Sequence, residues 1–203
     1  MTSLRILAPA ALVACVASPA LAGVIVFDDR ATFSAFGLAQ PGTAVATETF
    51  DTFSGFAAGG FASSPGAAAA WFAAAQDGML AQNGTLRAAS ANSTVTFSFR
   101  SGEVYGIGGD FFYSSANGSF VPGMMVLSLS DGTTFVRNIG SPTTFAGFWS
   151  LSSTISSLSI TPFGAAGAAN YVATDNLAIG FVPAPGSIAF LGLAGMASRR
   201  RRA

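Results

Sequence analysis

The stretch from Met125 to Ile139 constrains the fold of this 203-residue chain more than any other. Met125, Leu127 and Leu129 alternate with Val126, Ser128 and Ser130, then Asp131-Gly132 intervenes, and Thr133 to Ile139 resumes an extended pattern. Period-two alternation is the mark of a strand with one buried face. Asp-Gly between two such runs predicts a type I′ hairpin, because both central residues of that turn need positive φ. The same alternation recurs in Thr94 to Phe99, where Val95, Phe97 and Phe99 share a face. Further strands are expected at Ile155 to Thr161, Ala173 to Phe181, Val104 to Tyr113, Gly23 to Phe27 and Ala44 to Phe50. In the Val104 segment, Gly106, Gly108 and Gly109 suggest a bulge or a close backbone approach. Short strands separated by Gly, Ser, Asn and Pro turns predict an all-β domain over residues 23–181, a two-sheet antiparallel β-sandwich.

Two segments stand apart. Asp28 to Phe36 suits one short helix, with Asp29 or Asp28 as its N-cap. Gly66 to Leu80 is rich in alanine, which favours a helix, while its flanking glycines and Asp77-Gly78 suit a strand or loop equally. Asn83-Gly-Thr85, Asn92-Ser-Thr94 and Asn117-Gly-Ser119 read as turn chemistry.

The two ends read as addresses, outside the fold. Met1 to Ala22 has Arg5, an apolar run from Ile6 to Val16, and small residues closing on Ala20-Leu21-Ala22 ahead of Gly23. That is the layout of a secretory signal peptide cut after Ala22. Leu12-Val13-Ala14-Cys15 also fits a bacterial lipobox, in which Cys15 would become the acylated N-terminus. At the other end, 182–203, Val182-Pro183-Ala184-Pro185 precedes a short apolar stretch, Ile188 to Ala197, and then Arg199, Arg200, Arg201 and Arg202. Ten apolar residues are too few to cross ~30 Å of hydrocarbon, which takes about 20. The arginines would stay on the cytoplasmic side of a membrane.

This tail resembles the PEP-CTERM sorting domain of Gram-negative exopolysaccharide-associated proteins, with Ala184 where the family motif has Glu. The resemblance implies a membrane-held precursor, cut near Pro183 to Pro185 by an exosortase. The mature protein would then reach the outer surface or the extracellular biofilm matrix, with exopolysaccharide or another matrix glycan as partner. The segment order also looks like the jelly-roll-like domains common in that family, which end in an Asp-Asn-Leu strand, here Thr174 to Ile179.

Charge and composition exclude several functions. Residues 23–182 keep four arginines (30, 87, 100 and 137) against all nine carboxylates, a net charge of −5, and the chain has no lysine. Such a domain cannot neutralise phosphates in number, which argues against nucleic acid as a partner. Without histidine or lysine, and with Cys15 as the one cysteine, imidazole, thiol and amine catalysis and common zinc sites are closed to the mature domain. No Walker or dinucleotide glycine motif occurs. The one enzymatic route left is a carboxylate pair hydrolysing a glycosidic bond, and no spacing singles out such a pair. The expected role is therefore non-catalytic, with glycan processing by two carboxylates or a purely structural surface role as alternatives.

Two kinds of site are open to such a domain. Tyr113, Tyr171 and Trp71 are candidates for a carbohydrate platform, against the alternative that they pack inside; for Trp149 the core is favoured. Strand parity puts Asp175 on the face of Leu177 and Ile179, and Glu48 on the face of Phe50 with Asp51 beyond. Inward carboxylates need a partner. Glu48, Asp51 and Asp175 are thus candidate ligands of a structural calcium ion, which accepts carboxylate and carbonyl oxygens in flexible geometry. The resemblance adds that first and last strands lie together in related jelly rolls and often hold such an ion. The alternative is that Asp175 sits at a strand end and accepts hydrogen bonds from loop amides.

Overall fold

A computed structural model describes residues 23–64, 67, 69–100, 103–164 and 169–183. The signal segment with Cys15, Ala20 and Ala22, and the tail residues Ala184, Pro185 and Arg199 to Arg202, lie outside the described residues.

Two antiparallel sheets face each other. The larger holds nine strands: β1 (Val24–Phe27), β2 (Ala44–Glu48), β3 (Gly55–Ala57), β6 (Met79–Gln82), β7 (Thr85–Ala88), β9 (Val104–Ser114), β10 (Phe120–Val121), β13 (Phe145–Ser150) and β15 (Tyr171–Phe181). The smaller holds β4 (Phe61–Ala62), β5 (Trp71–Ala75), β8 (Val95–Phe99), β11 (Gly123–Leu129), β12 (Thr134–Ile139) and β14 (Ser157–Pro162). Their orders are β1-β13-β9-β15-β7-β6-β3 and β12-β11-β14-β8-β5-β4, with β10 added to β9 and β2 to β15. The predicted β-sandwich is therefore present. The first strand pairs with β13, and it is β2 that lies beside the last strand.

The alternating residues behave as their period demands. Val95, Phe97, Met125, Leu127, Leu158 and Ile160 of the smaller sheet are buried against Ile107, Phe111, Phe148, Leu177 and Ile179 of the larger. Burying one such side chain is worth roughly 1.5–3 kcal/mol, so this layer carries much of the stability. The outward residues of the smaller sheet are small, polar or apolar but not charged along β8, β11, β12 and β14. Thr134, Ser128, Ser159 and Thr96 form one rank across these four strands, with hydroxyl contacts of 3.3 Å (Ser128 to Thr134) and 3.1 Å (Thr96 to Ser159).

The hairpin lies where expected, but its turn is of another kind. Gly132 has φ +87° and Asp131 is not left-handed. The Gly132 N–H donates to Leu129 O at 3.0 Å, and the Leu129 N–H donates to Thr133 O at 2.9 Å. Ser130-Asp131-Gly132 is thus a three-residue loop, a type I turn closed by a left-handed glycine. The Asp131 carboxylate stabilises it by accepting from the Thr133 N–H at 2.8 Å. The doubly left-handed turn sits elsewhere, at Asn83 (φ +51°) and Gly84 (φ +73°), between β6 and β7.

Helix α1 (Arg30–Ala39) starts at Asp29, whose Oδ1 accepts from the Thr32 N–H at 2.7 Å and from its hydroxyl at 2.8 Å. It covers the outer face of the larger sheet. Fully buried Phe33 meets the rings of Phe27, Phe145 and Trp149 at 5.6, 5.7 and 5.6 Å. Among the described residues of the Gly66 to Leu80 stretch are β5 and the start of β6, joined by a turn in which Gly78 has φ +87°. Trp71 and Ala73 point inward there, and tertiary burial overrides the helix propensity of alanine.

Candidate functional site

The outer face of the larger sheet carries two polar constellations, and a β-bulge organises the first. Asp175 pairs with Asp110 and Ala178 with Gly108, so Asn176 and Leu177 of β15 stand against the single residue Gly109 of β9. Asn176 absorbs the extra residue at φ +49°, a conformation that Asn tolerates better than most side chains. One inserted residue reverses the parity of everything beyond it. Leu177 and Ile179 therefore enter the inter-sheet core, while Asp175 points with Asp110 to the α1 side.

That reversal corrects the expected calcium set. Asp175 does not share a face with Leu177. Glu48, opposite Leu177 on β2, shares the core face and lines a cavity of about 240 Å³ at the sandwich edge with Trp71 and Ile179. Its Oε1 accepts from the Phe50 N–H at 3.1 Å. Asp51 accepts from the Thr49 hydroxyl at 2.8 Å and lies against Gly84. The sheet separates Glu48 from Asp175, and among the described residues no three carboxylates gather as a metal-binding group. Nor does Asp175 sit at a strand end: it is in mid-strand and accepts from the adjacent Asn176 N–H at 2.6 Å.

The bulge instead assembles a pair of carboxylates that no spacing in the chain announces. Residues directly opposite on antiparallel strands have Cβ atoms about 5 Å apart, and here both are aspartates. Asp110 is 7% exposed, and its two oxygens are engaged. Arg30 Nη2 lies 2.9 Å from Oδ1, a contact of opposite charges outside straight hydrogen-bond geometry, and Asn176 Nδ2 donates to Oδ2 at 3.1 Å. Arg30 Nη1 donates to the Asn176 carbonyl at 2.7 Å, and the guanidinium lies 4.8 Å above the Phe145 ring. With both oxygens of Asp110 held, the cluster pins α1 to the bulge.

Asp175 bears the electrostatic cost. Burial raises its carboxyl above the ordinary 3.8, and the charges of Asp110 and Asp51 raise it further, against the lowering by the Asn176 N–H and Arg30. A carboxyl raised in the folded chain binds its proton more tightly there than in the unfolded chain. Its favourable contribution is therefore full below the unfolded value and is lost as pH rises through the folded one. Asp175→Asn keeps an acceptor for the Asn176 N–H and removes the charge. It is expected to raise the melting temperature at pH 7 and to change it little at pH 3. A lower melting temperature at pH 7 would mean that the Asp175 charge stabilises the fold.

The proposed aromatic platform is not assembled. Trp71 is 2% exposed and packs against Phe50, Phe53 and Phe97 at 5.5, 5.6 and 6.1 Å. Tyr113 is equally buried. Its hydroxyl donates to Met124 O at 2.5 Å and accepts from the Phe163 N–H at 3.2 Å, tying the larger sheet to the smaller, and burial pushes the phenol up. Trp149 lies in the core under α1, as weighed from sequence. Of the three platform candidates, only Tyr171 reaches the surface, and the Arg87 guanidinium stacks on it at 5.0 Å.

Beside that stack lies the second constellation, a cleft of about 130 Å³ lined by Gln82, Asn83, Thr85, Arg87, Ser114, Asn117 and Gly118. One wall is the β6–β7 hairpin with its Asn83-Gly84 turn. The other is the loop from Ser115 to Ser119, closed by the Ser115 N–H to Ser119 O bond (2.8 Å) and the Ser119 N–H to Asn117 Oδ1 bond (3.2 Å). Arg87 crosses between them, donating to Ser115 O at 3.5 Å and Ala116 O at 3.2 Å. The Ser114 hydroxyl is buried here without a protein hydrogen-bond partner. Amide, hydroxyl and guanidinium groups line the cleft, and no carboxylate does. Arg87 and Ser114 were not singled out by sequence reading; the outward alternation of Thr85 and Arg87 after an Asn-Gly turn was the available signal. Compared with known proteins, the chain matches no family model, no curated protein and no solved structure.

Proposed function

We propose that this is an exported, non-catalytic protein of the bacterial surface or extracellular matrix that binds or structures exopolysaccharide. In this reading the chain is held briefly at the inner membrane and released by an exosortase acting near Val182 to Pro185, and the sandwich is jelly-roll-like. The observation that carries the binding role is the cleft between the β6–β7 hairpin and the Ser115 to Ser119 loop. Its amides, hydroxyls and one cation are the groups that hydrogen-bond sugar hydroxyls, and a stacked Tyr171 stands beside it. The signals at both chain ends supply the route to the surface.

The Asp110 and Asp175 pair is the observation favouring a second reading, glycan hydrolysis. The engagement of both Asp110 oxygens weighs against it. One sample decides among the readings: protein recovered from the surface of an exporting host. Its intact mass is expected to lack Arg199 to Arg202, and on a glycan array it is expected to bind polysaccharide without releasing reducing ends. A surface form retaining the four arginines overturns the sorting route. A blank array overturns the binding role, and released sugar ends establish the hydrolytic one.

A further inference from the structure

We infer that the cleft recognises a carboxylated sugar, so that the ligand is an acidic glycan built from uronic acid units; this rests on the polysaccharide-binding reading above. A guanidinium has five N–H donors. Arg87 spends two on the carbonyls of Ser115 and Ala116, which fix its position, and its face lies on Tyr171. The edge left over is a planar fork of the kind that takes a carboxylate by two parallel hydrogen bonds. No carboxylate in the lining competes for it, because Gln82, Asn83, Thr85, Ser114, Asn117 and Gly118 carry no charge. Asp51 lies against Gly84, outside the lining.

The Ser114 hydroxyl independently marks the cleft as a place for a hydrogen-bonding ligand. It is 1% exposed, lines the cleft and has no protein partner. A buried hydroxyl left unpaired is costly, and as a donor it complements a carboxylate or ring oxygen. The amides of Gln82, Asn83 and Asn117 offer donors and acceptors together, which suits vicinal hydroxyls. The net charge of −5 over residues 23–182 opposes long-range approach of a polyanion. At physiological salt that repulsion is screened beyond about 8 Å, while a contact pair inside the cleft is screened much less.

The test uses the exported protein and short oligomers of galacturonate, glucuronate and mannuronate, each beside its methyl ester, with affinity measured by calorimetry. At least one free acid is expected to bind about 10-fold or more tightly than its ester, since a hydrogen bond to a charged group is the stronger kind. Arg87→Gln is expected to abolish that preference. Arg87→Lys keeps the charge but loses the fork and the stack, and is expected to recover only part of it. Ser114→Ala weakens the acid form more than the ester. Melting curves establish that each variant is folded. Equal affinity for acid and ester, or an acid preference that survives in Arg87→Gln, overturns the carboxylate inference and leaves glycan binding standing. Binding of neutral array glycans with no uronate bound at all also overturns it. Failure to bind any glycan overturns both.

Discussion

Gly180→Ala and Gly106→Ala are each expected to destabilise the fold by about 1–3 kcal/mol, although each adds only one methyl group. Both glycines lie beneath the indole of Trp149, and Gly37 of α1 closes on the same ring from the helix side. A Cβ at any of the three would come within 3.0 Å of indole atoms, and at Gly37 it would also press on Val45. The ring is 2% exposed and packs against the Phe33 and Phe36 rings of α1 at 5.6 and 5.7 Å, so it is held down on the two glycines from the helix side. Interiors packed at crystal density pass such an insertion on as strain. Thermal melts give the readout, with a shift of roughly 2–4 °C for each kcal/mol in a domain of this size. Gly140→Ala is the control, because an added Cβ there meets nothing within 4 Å, and it is expected to melt like the parent. Trp149→Phe frees space and should make the loss at Gly180 smaller in the double variant than in the single one. If Gly180→Ala melts with the control, the indole is not seated on that backbone.

This glycine bed marks the boundary of what the sequence made legible. Gly106, Gly108 and Gly109 pointed to a bulge or a close approach, and β9 takes part in both, with Gly109 facing the β15 bulge and Gly106 lying under an indole. Which ring approaches was hidden, because Trp149 is some 40 positions away along the chain. Where a strand has one wet and one dry face, as in β8 and β11, the alternation predicted its burial directly. Strand β13 escaped notice as a strand because all six of its residues are buried, one face by the core and the other by α1, so no alternation exists to be read. At Asp175 the parity argument failed for one physical reason, the bulge residue Asn176. The candidate cleft was the least legible part. It is built from residues 82–87 and 114–118 with Tyr171 beside it, and no local pattern joins segments that only sheet pairing brings together.

Arg30→Met is expected to cost about 3 kcal/mol, the low end of the effect of breaking a buried ion pair. The low end applies because the Arg30 side chain is 31% exposed and that of Asp110 is 10% exposed, so water screens the interaction in part. Methionine retains much of the apolar stem, so the loss falls on the charge and its contacts. Without Arg30, Asp110 keeps only the Asn176 amide and faces Asp175 across the strand pair with no cation between. The Asn176 carbonyl at the left-handed bulge also loses its 2.7 Å donor, and Phe145 loses the guanidinium above its ring. The discriminating measurement is the double variant. Neutralising the orphaned carboxylate with Asp110→Asn in the Arg30→Met background should recover part of the lost stability, because what hurts is an unpaired buried charge more than a missing contact. If the double variant is instead less stable than Arg30→Met alone by the full cost of Asp110→Asn, the two side chains act independently. The cluster would then be two separate helix and sheet contacts, and α1 would owe its position on the bulge to the aromatic packing of Phe33 and Trp149 alone.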